Sequence, residues 1–153
     1  MQTWFKRVQD SLTVLPECIT YFDTELQQAR YDCTLKGNVE KLSREIPQIV
    51  EHRFNQLQEL EAILEYLNIE YRRLRYKTFK KFLENYNKKL SSRDADKYVD
   101  GDADVVDLAK IINEFALIRN GYLGITKGLD QKQWQLTNIV KLRVAGMEDA
   151  NIK

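Results

Sequence analysis

Between Leu67 and Leu90 the chain reads LNIEYRRLRYKTFKKFLENYNKKL, and its charge is one-sided. Arg72, Arg73, Arg75, Lys77, Lys80, Lys81, Lys88 and Lys89 are opposed only by Glu70 and Glu84. Tyr71, Tyr76, Phe79, Phe82 and Tyr86 are threaded between them. Cations neutralise phosphates and flat rings stack on bases, so this mixture suits a polyanion, above all a single strand. The same residues can also be read as a solvated face beside a core stripe.

Other chemistry has little to work with. His52 is the single histidine, and it stands in EHRF with no Ser or Cys beside it, so no catalytic pair is expected. No Cys/His cluster has zinc spacing. Neither a phosphate loop nor a Gly-x-Gly-x-x-Gly turn is present. Asp100, Asp102, Asp104 and Asp107 suggest a calcium loop, but the sixth and twelfth positions from Asp100 hold Val105 and Ile111 instead of Gly and Glu. The expectation is a non-enzyme with no catalytic residue, metal or cofactor, in which Asp104 caps a helix and its acidic neighbours favour the helix's positive end.

The elements that must position the basic segment are helical. Two prolines and six glycines in 153 residues, with abundant Leu, Glu, Gln, Lys and Arg, predict a mainly α protein. A net charge of +1 makes any anion binding local. Nothing interrupts a helix between Pro47 and Leu90. There Ile49, Val50, Phe54, Leu57, Leu60, Ile63, Leu64, Leu67 and Leu74 give an apolar side for one or two long helices. Within the basic segment, Tyr76, Phe79, Leu83, Tyr86 and Leu90 fall on one stripe, predicted as the buried edge. Arg73, Lys77, Lys80, Lys81 and Lys88 share a neighbouring arc.

Upstream, residues 1–31 read as two helical pieces broken near Pro16, with Trp4, Phe5, Val8 and Leu12 in the first and Ile19, Phe22, Leu26 and Ala29 in the second. Alternation around Cys33–Gly37 predicts at most one short extended piece. Asn38 is placed to cap the next helix, which Pro47 kinks or restarts. Residues 91–104, SSRDADKYVDGDAD, read as a linker. A helix from Val105 to about Asn120 follows, loosened or ended by Gly121, Gly124 and Gly128, which could instead admit a neighbouring helix. A last helix from about Asp130 to Val144 carries Trp134, Leu136, Ile139, Val140 and Leu142 and stops at Gly146. Whether 104–144 is one helix or two stays open.

Cys18 and Cys33 are too few for a disulfide framework and are expected as reduced thiols. Without a signal peptide or an apolar run of membrane length, the expected location is the cytoplasm, with no membrane partner. The long amphipathic pattern favours self-association.

Residues 32–146 resemble the phage recombination mediator family typified by UvsY. The resemblance rests on DCTLKG, on EKLSREIPQIVEHRF, on a long helix reaching YRRLRY, on DADVVDL, and on QWQLTNIVKLRVAG near the end. Arg72, Arg73, Leu74 and Tyr76 match the family's basic segment. Tyr71 stands where a lysine is usual, and the family's Tyr-Tyr-Ser-Gly turn is missing.

The resemblance implies a homo-oligomeric ring that binds single-stranded DNA and helps load a RecA-like recombinase in place of single-strand-binding protein. In a phage-encoded protein this would happen in the host cytoplasm, in DNA recombination and repair. It implies a division into a helical extension (1–36), a long-helix body with the DNA-binding segment (37–93) and a C-terminal oligomerisation region (104–146). The DNA-binding residues would be Tyr71, Arg72, Arg73, Arg75, Tyr76, Lys77, Lys80, Lys81, Lys88 and Lys89. The alternative is a helical adaptor that acts through protein contacts without nucleic acid, its basic arc neutralised by the acidic half of a neighbour's long helix.

Overall fold

The computed structural model describes residues 2–85 and 90–147. The described chain is mainly α, with helices α1 (Trp4–Asp10), α2 (Leu15–Asp32), α3 (Val39–Asn85), α4 (Ser92–Asp100) and α5 (Ala103–Val144). A 3-10 turn, Leu12–Val14, lies between α1 and α2. No strand occurs among the described residues. None of the described helices is long and apolar enough to cross a membrane.

Local chemistry accounts for most boundaries. The Thr3 hydroxyl accepts from the Lys6 N–H to cap α1. Pro16 falls in the first turn of α2, where its missing N–H costs nothing. At the end of α2 the Cys33 and Thr34 N–H groups fold back onto the Arg30 and Tyr31 carbonyls. Residues 33–37 are therefore turn and coil and pair with no strand. Asn38 caps α3, its Oδ1 accepting from the Lys41 N–H at 3.0 Å.

Three sequence expectations are corrected here. Pro47 does not restart α3, which runs unbroken for 47 residues. Pro47 is exposed, so water can take the carbonyl that its missing N–H leaves without a partner. The 91–104 stretch is not a linker throughout, because Ser91 nucleates α4. Its hydroxyl accepts from the Asp94 N–H at 3.2 Å and donates to the Asp94 carboxylate at 2.7 Å. Asp104 is not the cap of α5. Asp102 is, accepting from the Asp104 and Val105 N–H groups at 3.1 and 3.3 Å. Asp104 sits in the first turn, where its charge meets the positive helix end.

By their contacts the residues divide into two units, Met1–Ile19 with Glu59–Leu117 and Thr20–Gln58 with Ile118–Lys153. Each unit is built from two separate stretches of chain, and α2, α3 and α5 each contribute to both.

In the first unit the buried apolar residues are Val8, Leu15, Cys18, Leu60, Ile63, Leu64, Leu67, Ala95, Val99, Val105 and Phe115. Glu59 turns its carboxylate to the start of α1 and accepts from the Phe5 N–H at 3.0 Å. Phe5 meets the ring of Tyr66 edge-on. Burial, and then the nearby Glu59 carboxylate, pushes the Cys18 thiol up to about 12, so it packs as a small apolar group. Cys18 and Cys33 are both free thiols.

In the second unit, Phe22, Leu26 and Ala29 of α2 and Ile46 and Leu57 of α3 are buried with Ile118, Tyr122, Ile125, Leu129 and Leu136 of α5. Helix α5 passes straight through Gly121, Gly124 and Gly128, so 104–144 lies in one helix and the glycines end nothing. Two of them admit a close neighbour, Gly121 a residue of α2 and Gly128 the cysteine just after it. A Cβ on Gly121 would stand 2.5 Å from Leu26 Cδ2, and one on Gly128 would stand 2.9 Å from Cys33 Sγ. Gly124 has nothing within 4 Å. Gly124→Ala is therefore expected to raise stability by about 0.5–1 kcal/mol. Gly121→Ala is expected to lower it by about 1–2 kcal/mol through overpacking. Urea unfolding of the two variants beside the parent tests the order. Gly146, at φ +74, closes α5, with the Met147 N–H reaching the Leu142 carbonyl and the Gly146 N–H the Arg143 carbonyl.

The second unit also holds a buried polar network that the sequence reading missed. Arg53 is 7 % exposed, while its neighbour Phe54, expected inside, is 48 % exposed. Arg53 donates to Asp32 at 2.7 Å and to Glu25 and Gln56 at 2.9 Å each. Gln56 donates to Glu25 at 2.8 Å. The single Tyr122 hydroxyl proton is shared between the Gln56 side-chain oxygen at 3.3 Å and the Phe22 carbonyl at 3.4 Å. Lys132 donates to the Asp32 carbonyl at 2.6 Å. His52 lies 3.8 Å from Glu25 and stays more than half exposed.

Candidate nucleic-acid interface

The basic segment lies in α3, within the first unit, and its orientation is set by α4. The ring of Phe82 stacks on Tyr98 with centroids 5.5 Å apart. Arg75 donates to Asp100 at 2.6 Å and to the Tyr71 hydroxyl at 3.4 Å. Ala95 and Val99 are the buried residues of α4. On this side of α3, Leu67 and Thr78 are buried and Tyr71, Leu74, Arg75, Phe79 and Phe82 are half-buried.

The buried edge therefore lies about a quarter turn from the one the sequence predicted. Tyr76 is 69 % exposed and Leu83 is 41 % exposed, so neither sits in the core. Both sides of this helix carry large apolar or aromatic residues, and the docking of α4 selects one of them.

What is left to solvent is the cationic arc. Arg72, Arg73, Lys77, Lys80 and Lys81 are all exposed, and Tyr76 stands among them. Arg72 lies 3.9 Å from Glu65, Arg73 2.8 Å from Glu70 and Lys80 3.8 Å from Glu84. The Arg72 and Lys80 pairs are exposed on both sides and contribute about 0–1 kcal/mol each, while the Glu70 partner of Arg73 is half-buried. Lys77 and Lys81 form no ion pair with any described residue. Helical rise spaces Arg72 and Lys81 by about 14 Å along the axis.

Arg75 and Tyr71 do not join this arc. Hydrogen bonds to Asp100 and Tyr71 raise the already high pKa of Arg75, and they hold its guanidinium toward α4. Lys88 and Lys89, with Tyr86, lie outside the described residues. Sequence reasoning missed α4 as the element that orients the arc. The signal was present in Ser-x-x-Asp at Ser91–Asp94, a capping pattern with the shorter acid.

Among the described residues no three or more of His, Cys, Asp and Glu are grouped to hold a metal ion. Neither protein-family models, nor curated proteins, nor solved structures match this chain.

Proposed function

We propose that this protein binds single-stranded DNA as a homo-oligomer and acts as a recombination mediator. In this reading it helps a RecA-like recombinase replace single-strand-binding protein and performs no bond chemistry itself. The observation that carries the DNA-binding part is the exposed arc of five cations around exposed Tyr76 on one side of α3. The cations would neutralise phosphates and Tyr76 would stack a base, a combination indifferent to base order. The mediator step rests on the family resemblance. A loader of this kind works by holding the strand in a form that favours the recombinase over its competitor, which requires different affinities for the two forms. Repetition of the arc around an oligomer multiplies weak single contacts through avidity.

The test is fluorescence anisotropy of a labelled dT oligonucleotide across salt concentration. Five phosphate contacts per protomer on a single strand give a log–log slope of roughly −3 to −4. No binding at low salt by the intact oligomer overturns the reading.

A second reading, the helical adaptor, is favoured by apolar residues that α5 and its cap leave exposed, among them Trp134 at 66 %, Val144 at 84 % and Met147 at 54 %. It predicts stable protein contacts and no salt-sensitive binding to the oligonucleotide.

A further inference from the structure

Beside Tyr76 the first unit contains a recess that the charge argument does not use. It measures about 190 Å³ and is lined by Arg75, Tyr76, Phe79, Asp96 and Val99, so α3 supplies one wall and α4 the other. That is the liquid volume of about six waters, the scale of one planar base. Its apolar part comes from the Phe79 and Tyr76 rings and Val99. Its polar part is one fixed cation and one carboxylate. Arg75 is held by Asp100 and Tyr71. Asp96 is exposed and makes no hydrogen bond or ion pair with any described residue. Arg72 stands one turn before Tyr76 on the same stripe, where a phosphate at the mouth of the recess would meet it.

We propose that this recess seats a guanine base of the bound strand, with the Asp96 carboxylate reading its Watson–Crick edge. The proposal rests on the single-strand reading above and adds a base preference to it. An ionised carboxylate only accepts hydrogen bonds, through two oxygens side by side. Guanine alone among the four DNA bases offers two adjacent donors on that edge, N1–H and the N2 amino group. Its O6 then lies on the side where an arginine is favourable. Adenine and cytosine each set a ring-nitrogen acceptor beside a single amino group. Thymine flanks its one N–H with two carbonyls that repel the carboxylate. The Tyr76 and Phe79 rings supply the stacking surface that any base needs.

The experiment uses the full chain and two labelled oligonucleotides of equal length, one all dT and one with single dG residues spaced along dT so that guanines cannot associate. A third, with inosine for dG, lacks only the N2 amino group. The dG-bearing strand is expected to bind about five-fold tighter than dT, the lower end of what one bidentate base contact gives. The inosine strand should fall between them. In Asp96→Asn the ratio of dG-bearing to dT affinity should fall to one. Asp107→Asn removes the same charge from exposed α5 and should keep the ratio. Equal affinity for dG-bearing and dT strands in the parent overturns the guanine site alone, as does a preference that survives in Asp96→Asn. Failure to bind either strand overturns the single-strand reading and the site with it.

Discussion

Arg53→Met is expected to lower the stability of the protein by about 3–5 kcal/mol, because one partner of a buried ionic network is removed and the others stay behind. Methionine keeps most of the volume, so the loss reports charge and hydrogen bonding more than a cavity. The Arg53 side chain is 8 % exposed, and those of Glu25 and Asp32 are 21 % and 25 % exposed, so water replaces the guanidinium only partly. In a chain of this length the loss corresponds to a fall of about 10 °C in melting temperature. Arg53→Lys should fall between the two, keeping a charge but losing the planar fork that reaches Asp32 and Glu25 together.

The pH dependence of the two proteins should differ with a definite sign. Burial by itself pushes the Glu25 carboxyl up. Hydrogen bonds from Gln56 and Arg53, and the charges of Arg53 and His52, more than offset this and hold it below its ordinary value. A carboxyl whose folded pKa is depressed stabilises the fold above its unfolded pKa and loses that contribution as pH falls through the folded one. The parent should therefore lose stability in acid below the ordinary glutamate range. Much of that loss is already absent in Arg53→Met, so the gap between the two should narrow as pH falls. Urea midpoints at neutral pH and in the acid range measure it. A constant gap would show that Arg53 acts by packing alone.

The second large effect concerns binding. A variant carrying Arg72→Ala, Arg73→Ala and Lys80→Ala is expected to bind a dT oligonucleotide about a hundred-fold more weakly near 0.1 M salt. The estimate follows from counterion release. A phosphate contact on a single strand contributes about 0.7 to the salt slope, which at this ionic strength is about five-fold in affinity, and three contacts multiply. The salt slope should flatten by about two at the same time. All three side chains are exposed, their partners Glu65 and Glu84 are exposed too, and Glu70 is half-buried, so the melting temperature should stay within a few degrees of the parent. A variant with unchanged size and melting temperature that still binds dT like the parent would move the strand away from this arc.

The helices themselves were readable because their signals are local. The 3-4 repeat of Ile19, Phe22, Leu26 and Ala29 marks one face of α2, and Phe22, Leu26 and Ala29 of that face are buried in the second unit. Asn38 starts α3 because its side chain reaches an N–H three residues on, a contact that needs no other part of the molecule. The glycines of α5 misled for the opposite reason. Alone, each weakens a helix by about 1 kcal/mol, but Gly121 and Gly128 lie against Leu26 and Cys33, and the packing they permit outweighs their propensity.

The cationic segment shows where local information ends. Its composition, its helical conformation and its excess of cations over the two acids Glu70 and Glu84 follow from the sequence alone, since they depend only on which residues stand between Leu67 and Leu90. Which side of it meets water does not. Tyr76, Phe79 and Leu83 form one acceptable core stripe, and Tyr71, Leu74, Thr78 and Phe82 form another about a quarter turn away. The tie is broken by Tyr98 and Asp100 of α4, which engage Phe82 and Arg75 and leave Tyr76 among the exposed cations. The same holds at Arg53 and Phe54, adjacent residues on different faces of α3. Hydrophobicity favours burying the phenylalanine, but the tertiary structure sets Glu25 and Asp32 of α2 within reach of the arginine. A buried cation is tolerated only where such partners meet it, and that meeting joins residues more than twenty positions apart.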